Sequence, residues 1–246
     1  MKLYRFLRAL LAVPFALLLT LFISIVTLFR TLVLRRDAAS VQGLAAWWAR
    51  SICAVSGVVV TVTGREHLDA EKPYIFAANH QSQFDILALQ GFLGMDFRWL
   101  AKKELFRVPI WGPAMRRAGY IPVDRSRGRQ ALKSISEAAQ KISAGTSVII
   151  FPEGTRTRDG KMQDFKAGAM VLAIKSGVDI VPVAIKGTYE ILPKGKLLMN
   201  PGNVLIRIGN PIATKNYKSK DKHALAKILQ EEVTELLGAI TSHAVK

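Results

Sequence analysis

Cysteine and histidine are scarce in this sequence of 246 residues, which contains one cysteine, Cys53, and four histidines. A single cysteine excludes an internal disulfide, and the histidines are too scattered to form a Cys/His cluster with the spacing of a zinc site. Internal repeats and low-complexity linkers are also absent. These absences fit a protein of a reducing compartment, and we expect neither a metal ion nor another cofactor.

Acidic residues are few as well, because Asp and Glu number 18 against 35 Lys and Arg, which gives a formal net charge of +17. This balance favours a polyanionic partner: a nucleic acid, an anionic membrane face, or an acidic protein or substrate. One basic stretch, TKNYKSKDKHALAK at 214–227, lacks the aromatic and glycine pattern of an RNA-binding sheet. We therefore expect a solvated or lipid-facing surface there and no nucleic-acid partner.

An apolar run near the N-terminus favours the membrane among these partners. Residues 9–29 form 21 consecutive positions without a charge, about the length that crosses a bilayer core. The run is longer than an ordinary signal-peptide core and precedes RTLVLRRD rather than a small-residue cleavage site. A second helix is predicted over 38–55, where Trp47 and Trp48 suit a membrane interface. Residues 1–56 are therefore predicted to form a two-helix membrane hairpin. Basic residues flank its first segment on both sides and give no clear orientation, so a hairpin that crosses the bilayer and one immersed in a single leaflet both stay open.

Short β-branched runs alternate with longer helical patterns from Gly57 onward, which indicates one α/β domain over 57–246. Helices are predicted over 86–93, 129–143, 167–176 and 222–240, with Gly177 as the C-cap of the third. Six strands are predicted in the segments GVVVTVTG, PYIFAA, GYIPVD, TSVIIFP, DIVPVAI and NVLIRIGNPI.

Three polar clusters fall where predicted strands end. They are NHQSQFD at 79–85, GYIPVDRSR at 119–127 with the upstream AKKELFRVPIWG, and FPEGTRT at 151–157. Ligands of α/β sheets bind in the crevice outside the carboxyl ends of strands. We therefore expect the three clusters to converge on one site.

His80 and Asp85 of the first cluster allow two compatible interpretations. Ser82 and Asp85 fit the S-x-x-D signature of a helix start, with the carboxylate favoured by the helix dipole. Alternatively, Asp85 accepts a hydrogen bond from one ring nitrogen of His80, so that the other nitrogen can take a proton from a substrate hydroxyl.

The other two clusters are rich in cations, which suit a phosphorylated substrate because guanidinium groups bind phosphate oxygens in a bidentate manner. Each cation is also a candidate surface charge, and Glu153 is a candidate ion-pair partner of Arg156. Pro152 and Gly154 predict a tight turn whose amides can face an anion. The cations are Lys102, Lys103, Arg125, Arg127, Arg156 and Arg158.

Two common site types are missing. The segment from Gly154 to Lys161 has one residue too many between its glycines for a P-loop, and Met162 replaces the Ser/Thr that would hold magnesium. No G-x-S-x-G nucleophile elbow occurs either. A nucleotide kinase is disfavoured, and direct transfer is simpler than a covalent enzyme intermediate.

Four sequence blocks together resemble the glycerolipid acyltransferases, most closely the bacterial 1-acylglycerol-3-phosphate acyltransferases. NHQSQFD matches the N-H-x-x-x-x-D block of that family, and GYIPVDR, FPEGTRT and IVPVAI match the following three. The resemblance covers about residues 58–212 and implies a mixed β-sheet flanked by helices. Pro122 departs from the aromatic or aliphatic residue that is usual in the second block.

The resemblance also implies roles for individual residues. His80 would be the general base toward the sn-2 hydroxyl of lysophosphatidate, and Asp85 would orient it. The glycerol phosphate would be bound by Lys102, Arg125, Glu153, Gly154, Thr155 and Arg156, with Lys103 as a weaker candidate.

The same resemblance implies an acyl thioester co-substrate, carried by acyl carrier protein or coenzyme A, and a place at the bacterial inner membrane with the site at its cytoplasmic face. Other interpretations stay open at this point. One alternative is an acyltransferase whose acceptor is glycerol 3-phosphate or another lysolipid, and another is a non-catalytic lipid-binding protein.

Overall fold

A computed structural model describes residues 2–124 and 129–243 of the protein. The α-helices are α1 Lys2–Leu28, α2 Gln42–Ser56, α3 Phe84–Phe92, α4 Trp111–Arg117, α5 Arg129–Ser143, α6 Ala167–Ser176, α7 Thr188–Ile191 and α8 Lys222–His243. The strands are β1 Val58–Thr63, β2 Ile75–Ala78, β3 Arg98–Lys102, β4 Ile121–Val123, β5 Val148–Ile150, β6 Ile180–Lys186 and β7 Gly202–Ile208.

The seven strands form one mixed sheet in the order β1-β7-β6-β2-β5-β3-β4. Strands β6, β2, β5, β3 and β4 run parallel to one another, whereas β7 pairs antiparallel with β6 and parallel with β1. The predicted mixed sheet flanked by helices is thereby confirmed. The five parallel strands end at the same edge of the sheet, and this edge carries the polar clusters.

Both faces of the sheet are buried, and the alternation of side chains along β2 shows why. Phe76 and Ala78 belong to a buried cluster with α2 and α3, whereas Ile75 and Ala77 belong to a cluster with α5, α6 and α8. Successive strand residues point to opposite faces, so an unbroken apolar strand such as IFAA requires helices on both sides. The helices therefore form one layer on each face of the sheet, and the site lies at the ends of the strands.

The sequence-based prediction missed one strand. We predicted six strands, but the segment RWLAK forms β3 between β5 and β4. Only three apolar residues stand between Arg98 and Lys102, and this pattern is too short and too charged to indicate a strand. Arg98 is nevertheless buried, because its guanidinium binds Asp96 and the carbonyl of Phe97. The short helices α4 and α7 were not predicted either.

The first two helices pack against each other in opposite directions. The indole of Trp48 on α2 donates to the hydroxyl of Thr20 on α1 over 2.9 Å, and the guanidinium of Arg8 lies against Gly57, which caps α2. Residues 10–33 are the one stretch, among the described residues, that is long and apolar enough to cross a membrane by length and composition. That this hairpin lies in a membrane stays a prediction.

Helix α2 also packs against the α/β part of the chain. Ala49, Ile52 and Cys53 are buried in the cluster that includes α3 and β1. The arginine side chain of α2, Arg50, donates to the carbonyl of Gly91 in α3 over 2.6 Å. Helix α2 thus contacts α3, whose first turn contains Asp85 of the first polar cluster. The domain division at residue 56 stays a prediction.

Candidate active site

The clusters that follow β2 and β5 meet directly at the edge where these parallel strands end. The backbone amide of Thr157 donates to the carbonyl of His80 over 3.0 Å, and the carboxylate of Glu153 accepts from the backbone amide of His80 over 2.6 Å. The ends of β3 and β4 are adjacent to each other, with Lys102 opposite Val123. The described parts of the clusters thus share one edge of the sheet, as their positions after strands predicted.

His80 and Asp85 are in hydrogen-bond contact. Nδ1 of His80 lies 2.7 Å from Oδ2 of Asp85, whose side chain is fully buried. The same carboxylate oxygen accepts from the backbone amides of Gln81 over 2.7 Å and Ser82 over 2.9 Å. The carboxylate therefore organises the turn before α3 and the imidazole together, and both interpretations of the first cluster fit this geometry.

A fixed acceptor at Nδ1 gives His80 a defined tautomer. The buried carboxylate accepts the Nδ1 proton, so the neutral ring presents Nε2 as a base. The ring also stacks on Phe151, with centroids 3.8 Å apart and planes inclined by 10°. Only 14% of the histidine side chain is exposed. The imidazole is therefore held in one plane with one nitrogen available for proton transfer.

A small cleft opens beside this ring. Its volume is about 170 Å³, and its lining residues are His80, Phe151, Gly154, Thr155 and Arg156. Gly154 has a φ of 72°, a conformation that favours glycine, so the turn after β5 needs this residue. His80 and three of the predicted phosphate-binding residues therefore share one cavity.

Glu153 is turned into the protein and away from this cleft. Its side chain is 1% exposed, and it accepts from the backbone amides of His80 over 2.6 Å and Gln163 over 2.9 Å. Burial raises the pKa of this carboxyl to about 6, against the effect of the two amide donors. The expected ion pair with Arg156 does not form. Glu153 joins the two loops of the site, and its predicted substrate contact stays a prediction.

The two lysines at the end of β3 have different surroundings. Lys102 is 55% exposed and lies 3.8 Å from the carboxylate of Glu104, a weak surface pair. Lys103 contacts the buried Asp124 at 2.5 Å, and therefore fixes the end of β4. Arg125 and Arg127, the next cations of this cluster, lie outside the described residues.

Two residues of the site were missed by the sequence analysis. Lys194, in the loop after α7, donates to the hydroxyl of Thr155 and to the carbonyl of Arg156, each over 3.1 Å. Asn79 is fully buried and pairs with both backbone groups of Ile185, over 2.7 Å and 2.9 Å. The sequence did contain a signal for Lys194, the lysine of the segment LPKG. This residue is a cation that follows a predicted strand, and that strand ends at the same edge of the sheet as the site.

The described residues contain no group of three or more His, Cys, Asp or Glu side chains that could hold a metal ion. The expected absence of a cofactor stays a prediction. What the geometry provides is a histidine base with a buried carboxylate partner, beside a small cleft whose wall contains an arginine.

Comparison with known proteins decides the family. The family model described as Acyltransferase matches residues 59–186, more than half of the chain. The chain belongs to the acyltransferase family. The resemblance in the four sequence blocks is thereby confirmed, and the matched residues include His80, Asp85 and the turn after β5.

Relatives of this acyltransferase share a common description. It is 37% identical over 171 residues to the chloroplastic 1-acyl-sn-glycerol-3-phosphate acyltransferase of Arabidopsis thaliana, covering 69% of this chain and 48% of that one. It is 34% identical over 171 residues to the human 1-acyl-sn-glycerol-3-phosphate acyltransferase alpha, covering 69% and 60%. The chain spans about half the length of the curated relatives it matches.

A solved structure matches almost the whole chain. The crystal structure of the 1-acyl-sn-glycerophosphate acyltransferase PlsC from Thermotoga maritima superposes with a TM-score of 0.84 at 30% identity, and the match covers 98% of each chain. The N-terminal helices and the loop that carries Lys194 lie outside the residues matched by the family model, but the structural match extends over nearly the full length.

Proposed function

We propose that this acyltransferase transfers a fatty acyl chain from a thioester to the sn-2 hydroxyl of 1-acylglycerol 3-phosphate, giving phosphatidate for phospholipid synthesis. The observation that carries the proposal is the His80–Asp85 contact at the mouth of a cleft walled by Arg156. The shared description of the relatives, together with a structural match over 98% of the chain, supports this acceptor.

The proposed chemistry begins at Nε2 of His80. This nitrogen takes the proton of the sn-2 hydroxyl while the oxygen attacks the thioester carbonyl, so the C–O ester bond forms and the C–S bond breaks. Asp85 stabilises the imidazolium, and the proton is then passed to the leaving thiolate, which departs as a thiol. A positioned base of this kind contributes roughly 10²- to 10⁴-fold in rate. No enzyme nucleophile is needed.

The phosphate of the acceptor is proposed to lie against the turn after β5. Arg156 lines the cleft, the backbone at Gly154 turns there, and the hydroxyl of Thr155 is held by Lys194. Lys102 is exposed and only weakly paired, so it is free to move toward an anion. Arg125 keeps its proposed role from the sequence. Lys103 is assigned to Asp124 instead, which it contacts at the end of β4.

The donor is proposed to be a soluble acyl thioester, on acyl carrier protein or coenzyme A, with no other cofactor. The net charge of +17 favours both an acidic carrier and an anionic lipid surface. The apolar helix α1 would hold the protein at the bacterial inner membrane, with the cleft at the cytoplasmic face.

An acceptor comparison tests this function. Thiol release by the purified full chain in vesicles is measured with lysophosphatidate, glycerol 3-phosphate and lysophosphatidylethanolamine, using each thioester donor. The proposal expects the highest kcat/KM with lysophosphatidate. Preference for glycerol 3-phosphate or lysophosphatidylethanolamine would assign another acceptor to the same chemistry, and no release with any acceptor would favour a non-catalytic lipid-binding role.

A further inference from the structure

Two consecutive leucines are exposed in the loop between α7 and β7. Leu197 is 79% exposed and Leu198 is 42% exposed. We call residues 193–201, with the sequence PKGKLLMNP, the leucine loop. It contains two lysines and no acidic residue. Apolar side chains at such exposure next to cations are typical of segments that lie at a membrane interface.

The leucine loop is held in place by its own hydrogen bonds. The backbone amide of Lys196 donates to the carbonyl of Pro193 over 3.1 Å, and Gly195 supplies the positive φ of 90° that this turn requires. The backbone amide of Asn200 donates to the carbonyl of Ile191 over 2.8 Å. The leucines are thus presented on a closed turn, and their exposure does not come from a lack of local structure.

One end of the leucine loop contacts the site. The ammonium of Lys194 donates to the hydroxyl of Thr155 and to the carbonyl of Arg156, which both line the cleft beside His80. The position of the leucines is therefore coupled to the wall of the cleft.

The other end of the leucine loop contacts the N-terminal helices. The hydroxyl of Ser56, the last residue of α2, lies 3.2 Å from the thioether of Met199. Just beyond the loop, the backbone amide of Gly202 donates to the carbonyl of Gly57, against which Arg8 of α1 packs.

The apolar surface of α1 starts at this same end of the hairpin. Leu10 and Leu11 lie two and three positions after Arg8 and are 52% and 66% exposed. The leucine loop and the first exposed leucines of α1 are consequently at the same end of the two-helix unit.

We propose that the leucine loop is a second membrane contact, in which Leu197 and Leu198 enter the boundary between headgroups and acyl chains of an anionic bilayer. Lys196 contacts lipid phosphates beside them. The inference rests on the proposed use of a membrane lipid as acceptor, and it adds that the loop holds the mouth of the cleft at the lipid surface. An acceptor then reaches His80 without leaving the interface.

Depth-dependent quenching tests the contact without any activity measurement. Leu197→Cys is labelled with an environment-sensitive dye, since the native Cys53 is buried. Leu132→Cys on α5 is the matched control, because Leu132 is 58% exposed and α5 covers the opposite face of the sheet. Both full-length variants are reconstituted in vesicles of phosphatidylcholine and phosphatidylglycerol with a nitroxide near the acyl-chain carbonyl. We expect quenching at position 197 to exceed that at position 132 by about threefold or more.

Equal quenching at the two positions would overturn the proposal. A dye signal at position 197 that changes with protein concentration in lipid-free detergent would also overturn it, by showing that a second copy covers the loop. The proposal further expects Leu197→Asp to lower kcat/KM for vesicle-borne lysophosphatidate while leaving a water-soluble short-chain acceptor unaffected. Because quenching does not depend on turnover, failure of the proposed activity and failure of the membrane contact give different results.

Discussion

At the scale of single residues, His80 is fixed from three directions. Its ring nitrogen contacts Asp85, its ring stacks on Phe151, and its backbone amide donates to the buried carboxylate of Glu153. A general base loses efficiency when its orientation varies, because proton transfer requires a narrow range of distances. The buried carboxylate of Glu153 therefore holds the histidine through its backbone amide, as the proposed role of His80 as a base requires.

The raised pKa of Glu153 predicts a dependence of stability on pH. The carboxyl holds its proton more tightly in the folded chain, with a pKa of about 6, than at its ordinary value of 4.5. Its contribution to the free energy of unfolding is therefore complete below about pH 4.5 and is lost as the pH rises through about 6. The free energy of unfolding of the wild type should therefore fall by about 2 kcal/mol over this pH range because of Glu153, and this contribution should be absent in Glu153→Gln.

Denaturant unfolding of the wild type and of Glu153→Gln between about pH 4 and pH 7 checks this expectation. Glu137→Gln is the control, because Glu137 is 61% exposed on α5. The same pH slope in the wild type and in Glu153→Gln would show that the carboxyl titrates at its ordinary value.

At the scale of elements, the site is formed by one edge of the sheet and by the leucine loop. The sequence predicted the edge of the sheet but not the contribution of the loop. The clusters after β2 and β5 could be predicted because each follows a strong apolar strand. Strand β3 could not, since its short apolar core is bracketed by Arg98 and Lys102 and its burial depends on the neighbours β5 and β4. Lys194 was missed because it reaches Thr155 only through tertiary contact, 39 residues along the chain.

A prediction for the leucine loop follows from Lys194. Lys194→Ala removes two hydrogen bonds to the turn that we propose binds the acceptor phosphate, so we expect KM for lysophosphatidate to rise roughly 3- to 10-fold with a smaller change in kcat. Lys194→Arg should restore most of the loss, because it keeps a cationic donor. Steady-state kinetics check this expectation. The control is Lys161→Ala, because Lys161 is an exposed lysine in the loop after β5. An unchanged KM in Lys194→Ala would show that Lys194 does not contribute to acceptor binding.

At the scale of the whole molecule, the N-terminal helices and the sheet form one packed unit. Trp48 bonds α2 to α1, and Arg50 bonds α2 to α3, whose first turn contains Asp85 of the first polar cluster. The apolar run of α1 and the positions of both N-terminal helices could be predicted from hydropathy. The burial of Cys53 against α3 could not, because an apolar helix that faces lipid and one that faces a protein core have similar sequences.

The mode of membrane attachment is testable on the full chain. Residues 10–33 form a mostly exposed apolar stretch of 24 residues, whereas the charge of +17 alone would give a salt-sensitive attachment. We expect the protein to remain with sedimented membranes in 1 M salt and in alkaline carbonate. Release into the supernatant by salt would show that the attachment is electrostatic and that α1 is not inserted in the membrane.

The central claim is that His80 is the base of an acyl transfer, and one comparison tests it most directly. Thiol release and phosphatidate formation from lysophosphatidate are measured for the wild type, for His80→Ala and for His67→Ala, whose histidine is exposed on a helical turn after β1. The account predicts a loss of roughly 10²- to 10⁴-fold in kcat for His80→Ala, with the chain still folded, and unchanged activity for His67→Ala. Retention of wild-type turnover by folded His80→Ala would contradict it.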